Sequence, residues 1–307
     1  MTEHLTLSKQ ANPFARNHLI RDAISQAIHE EMGRDPSIYM FGEGAWVKQK
    51  YDAPKILADF PNRIVTMPIC EDGMTNFAVG ASLLGVKPVV DIISADFLFR
   101  AMDSICNTAA KLNFVRPNEP PRTIVIRAET LLGGPTTGQR IESLFTHIPG
   151  LNVIIPSTPR DAYGLMLTAL RTPGVTLFFE DRMIRDDGYW SPDELELLRP
   201  LKFGRASCTS FGAGVPLTIV TYGLMRQMVE ALIIKHKLSY CTVLDLRSIF
   251  PLDWAFIRDS VEYSRRLLII EPDIAYGGVG AEIPAGFFGI RPIVAGLTRL
   301  IPAYLCP

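Results

Sequence analysis

Short apolar runs and segments of helical spacing follow one another along this chain in steady alternation, and that alternation limits the fold more than any other feature. "HLIRDAISQAIHEEM" (18–32) sets Leu19, Ile20, Ile24, Ala27 and Ile28 near a 3.6-residue period and stops at Gly33. "SIYMFGEG" (37–44), "NRIVTMP" (62–68), "KPVVDII" (87–93), "RTIVIRAE" (122–129), "NVIIPS" (152–157) and "VTLFFED" (175–181) read as strands. Between them "GMTNFAVGASLLG" (73–85), "LFRAMDSICNTAAKLNF" (98–114) and "DAYGLMLTALR" (161–171) read as helices. A polar, proline-bearing stretch, 182–204, interrupts the pattern. It resumes with strands at 216–223, 241–250, 266–273 and 291–296 and helices at 224–236, 253–264 and near 279–286. Strands this continuously apolar are buried on both faces, and strand–helix alternation builds parallel sheets. The expected fold class is α/β, with two parallel-sheet, helix-flanked domains. The expected boundaries are a loose segment 1–15, a first domain 16–181, a linker 182–204 and a second domain 205–307.

With 307 residues, 48% of them hydrophobic, the chain has enough apolar mass for two cores. Its formal net charge is −1, from 31 basic and 32 acidic residues, with no basic block or basic helix face. Composition therefore points away from nucleic acid and from anionic membrane surfaces. Cys70, Cys106, Cys208, Cys241 and Cys306 are scattered and never spaced C-x-x-C. That pattern predicts reduced, mostly buried thiols in an intracellular protein, not a disulfide framework or a zinc site. No apolar run reaches membrane-spanning length, and the polar N-terminal stretch lacks a targeting pattern. The expected location is cytoplasmic.

Several local motifs invite chemistry, and each has a plainer reading. "GGVGAEI" (277–283) approaches G-x-G-x-x-G but ends on Ile283, and "LLGGPTTGQR" lacks the G-K-[ST] of a phosphate loop. Turn and helix-start glycine suffices for 277–280. His4, His18, His29, His147 and His236 never pair at i, i+4, and His147 sits where a helix ends before Pro149, where the helix dipole favours it. Glu71-Asp72 is the more demanding case. The pair follows the run Ile64, Val65, Met67, Ile69 and precedes a helix, at a strand's C-terminal end, where ligand sites of parallel sheets lie. Asp72 suits an N-cap, and the dipole would stabilise either carboxylate. From residue types alone, Glu71 is equally a helix-start acid or a site residue.

The longer stretch "PICEDGMTNFAVGASLLGVKPVVDIISADFLFRAMDSICNTAAK" resembles the beta subunit of the thiamine-diphosphate-dependent, decarboxylating component of 2-oxo acid dehydrogenases. Pyruvate, branched-chain and acetoin dehydrogenases belong to it, within the transketolase-like group. The likeness continues through "FTHIPGLNVIIPSTPRDAYGLMLTALR", "VTYG", "DLRSIFPLD" and "GGVGAEI", from about residue 16 onward. It implies a pyrimidine-binding domain followed by a transketolase C-terminal-like domain, shortened here. It also implies thiamine diphosphate as cofactor, with Glu71 as the carboxyl that hydrogen-bonds the aminopyrimidine ring and controls its tautomer. Phe97 matches the aromatic position that packs on the ring, and Ile93 another position lining the cofactor pocket. The group holds the diphosphate through Mg²⁺ on a G-D-G…N motif, which this chain lacks; "EDG" at 71–73 belongs to the other half-site. In the family an alpha subunit carries that motif. The implied assembly is an α2β2 heterotetramer with the cofactor and Mg²⁺ at the interface, and possible service to a lipoyl carrier domain.

Two positions depart from the pattern. Thr137 stands where the family loop carries a catalytic histidine, and Arg100 where relatives usually have glutamine or proline. Threonine is no general acid at neutral pH, so cofactor activation carries over better than lipoyl-linked acyl transfer. Arg100 and Thr137 are thus candidates for the substrate or acceptor pocket. The leading expectation is an enzyme subunit that decarboxylates a 2-oxo acid and passes on the acyl or hydroxyalkyl fragment. Transketolase-like ketol transfer in a specialised pathway is the alternative enzyme reading, and a non-catalytic structural or regulatory partner subunit the alternative of another class.

Overall fold

The computed structural model describes residues 20–43, 53–130, 137–185, 199–212, 217–274, 276–287 and 293–296. The N-terminal segment expected to be loose (1–15), residues 131–136 at the start of the glycine-rich stretch, residues 186–198 of the expected linker and everything after 296 lie outside them.

Among the described residues, twelve strands form two sheets. The first contains β1 (Ile38–Glu43), β2 (Ile64–Met67), β3 (Lys87–Ile92), β4 (Thr123–Thr130), β5 (Leu151–Ile154), β6 (Gly174–Asp181) and β10 (Ser248–Phe250), in the order β10-β5-β6-β4-β3-β1-β2. The second contains β7 (Ser207–Phe211), β8 (Leu217–Thr221), β9 (Cys241–Asp245), β11 (Leu267–Glu271) and β12 (Ile293–Gly296), ordered β12-β11-β8-β9-β7. Pairing is parallel throughout except at two edges, where β10 runs antiparallel to β5 and β7 antiparallel to β9. The α/β reading holds, with those two antiparallel edge strands added.

Both faces of the first sheet are covered, so its strands carry apolar residues at successive positions. Val125 of β4 packs under one helical layer, with Ile24, Ile28, Met166 and Leu170, while Ile124 and Ile126 face the opposite core with Met74, Ala78 and Leu98. That second core runs on without a break into Val220, Leu244, Ile257 and Ile269 of the C-terminal half. The Ile20–Arg34 and Pro159–Arg171 helices are clamped by a two-point ion pair, Arg171 to Glu31 at 2.6 and 2.9 Å. Thr158 caps the second of these helices by accepting from the Asp161 amide, and Pro159 opens it. At Gly164 the returning chain crosses so closely that a Cβ would lie 2.6 Å from the Arg199 carbonyl oxygen.

Three sequence expectations are corrected. The run 241–250 is not one strand: Arg247 adopts a left-handed φ of 59°, and the chain leaves the second sheet to finish as an edge strand of the first. The run 98–114 is not one α-helix. It is a 3₁₀ segment (Ala95–Ala101), a π-helical segment (Ser104–Ala109) and a short turn of α-helix (Leu112–Val115), with Ser104 bonding both to the Ala101 carbonyl and to Asp72. Such π segments recur near functional sites. The described thiols are not mostly buried: Cys241 is, but Cys70 lies exposed ahead of a helix and Cys208 on the edge strand β7.

Candidate active site

The site forms where β3 ends and the Glu71–Leu83 helix begins, above the C-terminal ends of the parallel strands. Glu71 is the first residue of that helix and is buried, 4% exposed. The residue ahead of it, Cys70, makes no side-chain cap. Asp72 is not the cap either. Its carboxylate accepts the Ser104 hydroxyl at 2.8 Å, tying the helix to the π-helical segment. The run before Glu71 is less apolar in place than in sequence, because β2 is an edge strand and Ile69 lies beyond it, 76% exposed.

Ile93 follows β3 and is half-buried. Ser94 begins the 3₁₀ segment that carries Phe97 and Arg100, and the Phe97 amide donates to the Ser94 carbonyl at 3.0 Å. Phe97 is half-buried and packs against the core cluster to which Met74 and Leu98 belong. Arg100 points from the same segment to Glu71: its Nε lies 3.3 Å from Oε2, with the arginine side chain 74% exposed and the glutamate 4%.

The Thr137 loop is fastened to the same segment. Asp96 accepts the Gly138 amide at 3.0 Å, the Gln139 amide at 3.2 Å and the Ser94 hydroxyl at 3.1 Å. Thr137, half-buried, is thereby held next to the turn that bears Phe97 and Arg100. The fold thus gathers Glu71, Phe97, Arg100 and the Thr137 loop around one segment, with Ile93 leading into it.

Sequence reading missed Asp96. A serine two residues before an aspartate is a common turn pair, and nothing local marks that its oxygens serve amides 42 and 43 residues further on. It also missed a set of buried charges on and beside the central strands of the first sheet. Arg127, fully buried, grips Glu180 at 2.7 and 2.8 Å and approaches Asp91 at 3.8 Å. Beside it Arg140 pairs with Glu142 and, at 3.0 Å, with Asp181. Ser143 donates to Asp273 at 2.8 Å across the junction between the two sheets' domains, and Ser157 likewise donates to Asp245 at 2.9 Å. Burial pushes the carboxyls of Glu142, Glu271 and Asp245 up to about 7, with neighbouring acids adding to it. The signal available was charge inside apolar strands, as in "VIRAE" and "FFED".

"GGVGAEI" proves to be turn and helix start: Gly277 has φ 72°, and the Val279–Ala285 helix follows Gly278. At Gly278 a Cβ would lie 2.7 Å from Glu271, whose carboxylate accepts the Gly280 amide at 2.9 Å. His147 closes the Glu142–Thr146 helix, as expected.

Residues 18–185 match the family described as transketolase, pyrimidine binding domain, and residues 212–290 that described as transketolase, C-terminal domain. The beta subunit of the pyruvate dehydrogenase E1 component of Rickettsia felis is 33% identical over 274 residues, covering 86% of this chain and 82% of that protein. The chain belongs to the E1 beta-subunit family of the 2-oxo acid dehydrogenases. Other members resemble it about equally. The mitochondrial 2-oxoisovalerate dehydrogenase subunit beta 2 of Arabidopsis thaliana is 31% identical over 86% of this chain and 75% of its own. The acetoin:2,6-dichlorophenolindophenol oxidoreductase subunit beta of Cupriavidus necator is 32% identical, over 88% and 84%. Among solved structures, an inactive beta4 tetramer of a split-gene transketolase superposes with a TM-score of 0.73 at 22% identity, over 92% of this chain and 89% of that one. At that identity it speaks for the fold.

The donor set of this E1 beta-type site suits the group the family uses. A buried carboxyl at a strand-to-helix junction, flanked by an aromatic-bearing turn, can meet the ring nitrogen of a heteroaromatic cofactor. Among the described residues no cluster of acids, histidines or cysteines could hold a metal ion, and no helix is long and apolar enough to cross a membrane.

Proposed function

We propose that this chain is the cofactor-activating beta-type subunit of a thiamine-diphosphate-dependent enzyme that decarboxylates a 2-oxo acid and transfers the remaining fragment. The observation that carries the reading is the Glu71 carboxyl, buried to 4% exposure at the start of a helix. A buried carboxylate is stabilised by a charged partner, and here that partner is the solvent-exposed Arg100 at 3.3 Å. When bound, the cofactor supplies the electron sink. Glu71 would hold the aminopyrimidine nitrogen and set which tautomer the ring adopts. Phe97 would pack on the ring and keep water from it, and Ile93 would line the same pocket. The burial of Glu71 would keep solvent from competing for that hydrogen bond.

An alpha-type partner completes the site in this reading. It brings the Mg²⁺ and the diphosphate-holding motif that the sequence lacks, in an α2β2 assembly located in the cytoplasm. Arg100 and Thr137 shape the substrate or acceptor side. Arginine grips carboxylates and phosphates through paired N–H groups, and threonine leaves room where an imidazole would stand. The acceptor step is therefore the altered one, with a lipoyl carrier served less well than in relatives.

The test is co-purification with the alpha-type partner and turnover on panels of 2-oxo acids and ketose phosphates, scored with an artificial electron acceptor. Glu71→Gln preserves volume but not proton sharing, and is expected to abolish turnover beyond the ~10²–10⁴ of ordinary acid–base help while leaving assembly intact. Near-normal turnover in that variant refutes the assigned role. Thr137→His should raise transfer to a lipoyl domain without raising decarboxylation; efficient lipoyl acylation by the unmodified complex defeats the altered-acceptor reading.

A further inference from the structure

The Glu71–Arg100 pair is asymmetric. Its acid is almost wholly buried and its base almost wholly in water, with side-chain exposures of 4% and 74%. The closest approach of the guanidinium to the carboxylate is Nε to Oε2, at 3.3 Å. Arg100 sits in the 3₁₀ segment, but its side chain is long and can swing into solvent without moving that segment. With its arginine in solvent the pair is screened and contributes modestly, so another partner for the carboxylate can displace it. Leaving the buried carboxylate with no counter-charge is not cheap.

From this we propose that Arg100 is a displaceable counter-ion of Glu71. In the chain by itself it covers the carboxyl and holds it oriented, and it competes for that same carboxyl with the ring nitrogen of the incoming cofactor. Arg100 is a positioning residue acting through Glu71. The inference rests on the cofactor reading given above and goes beyond it, because it predicts that a residue beside the site opposes cofactor binding. Simple charge attraction between an arginine and a diphosphate predicts the opposite sign.

The experiment measures the affinity of thiamine diphosphate, with Mg²⁺, for the complex reconstituted with its alpha-type partner, by calorimetry. Arg100→Gln is expected to tighten binding about two- to five-fold at low salt, the range an exposed ion pair spans. The gap between unmodified and variant complexes should close as salt rises from about 0.05 to about 0.5 M, because screening weakens the competing pair. In a Glu71→Gln background, Arg100→Gln should leave the affinity unchanged, since no carboxylate remains to compete for. That loss of coupling is a readout a purely structural Arg100 would not give. Unchanged or weaker binding in Arg100→Gln, or the same tightening with and without Glu71, overturns the proposal while leaving the cofactor reading intact. Failure of every complex, unmodified included, to bind the cofactor overturns both.

Discussion

Replacing Asp96 by alanine should free the Thr137 loop. The carboxylate receives two backbone amides, Gly138 at 3.0 Å and Gln139 at 3.2 Å, and the Ser94 hydroxyl at 3.1 Å. Hydrogen bonds to a charged group contribute ~1.5–3 kcal/mol each when well buried. Asp96 is only half-buried, so the low end applies, and the two amides together amount to about 3 kcal/mol. Part of this returns as chain entropy when the loop loosens, at roughly 1 kcal/mol per residue released. With Gly138 and Gln139 both released, a net of about 1 kcal/mol remains, a factor of roughly 5 in the local opening equilibrium. Native-state hydrogen exchange reads this directly. The Gly138 and Gln139 amides should exchange about 5-fold faster in Asp96→Ala, and by an intermediate factor in Asp96→Asn, which keeps one acceptor oxygen. Unchanged exchange at both amides would show that the loop is held by something else, and that Asp96 does not place Thr137.

Two further outcomes follow from packing and charge. Gly164→Ala should destabilise by about 1–2 kcal/mol in denaturant melts despite the better helix propensity of alanine, because its Cβ would press on the Arg199 carbonyl at 2.6 Å and on Leu201 at 2.7 Å; a stabilised variant would show that the crossing chain can move aside. Glu142, Glu271 and Asp245 hold their protons up to about 7 in the folded chain, against 4.5, 4.5 and 3.8 when unperturbed. The folded state therefore binds more protons than the unfolded one between about pH 4 and 7, and stability from these groups falls as pH rises through that window, by up to about 1.4 kcal/mol for each tenfold change in proton affinity. The melting temperature should rise from pH 8 to pH 6, and Glu142→Gln should flatten that rise; a chain more stable at pH 8 than at pH 6 refutes the assignment.

Local chemistry alone determined much of this protein. Strand and helix periods reveal which segments are buried on both faces, because a two-residue or 3.6-residue repeat is a property of the chain itself. The family likeness rests on consecutive residues around Glu71, Ile93 and Phe97, legible in the same way. Tertiary structure decided the rest, wherever two remote segments had to meet. The left-handed turn at Arg247 sends β10 across to the first sheet, and no periodicity in "CTVLDLRSIF" records which sheet each half joins. Asp96 finds its amides 42 and 43 residues downstream, and Arg100 reaches Glu71 across the start of another helix. Those contacts depend on how β3, the 3₁₀ segment and the Glu71–Leu83 helix cross in space. That crossing is set by the shared core of Met74, Ala78 and Leu98, so only the packed molecule shows Arg100 paired with the buried acid beside it.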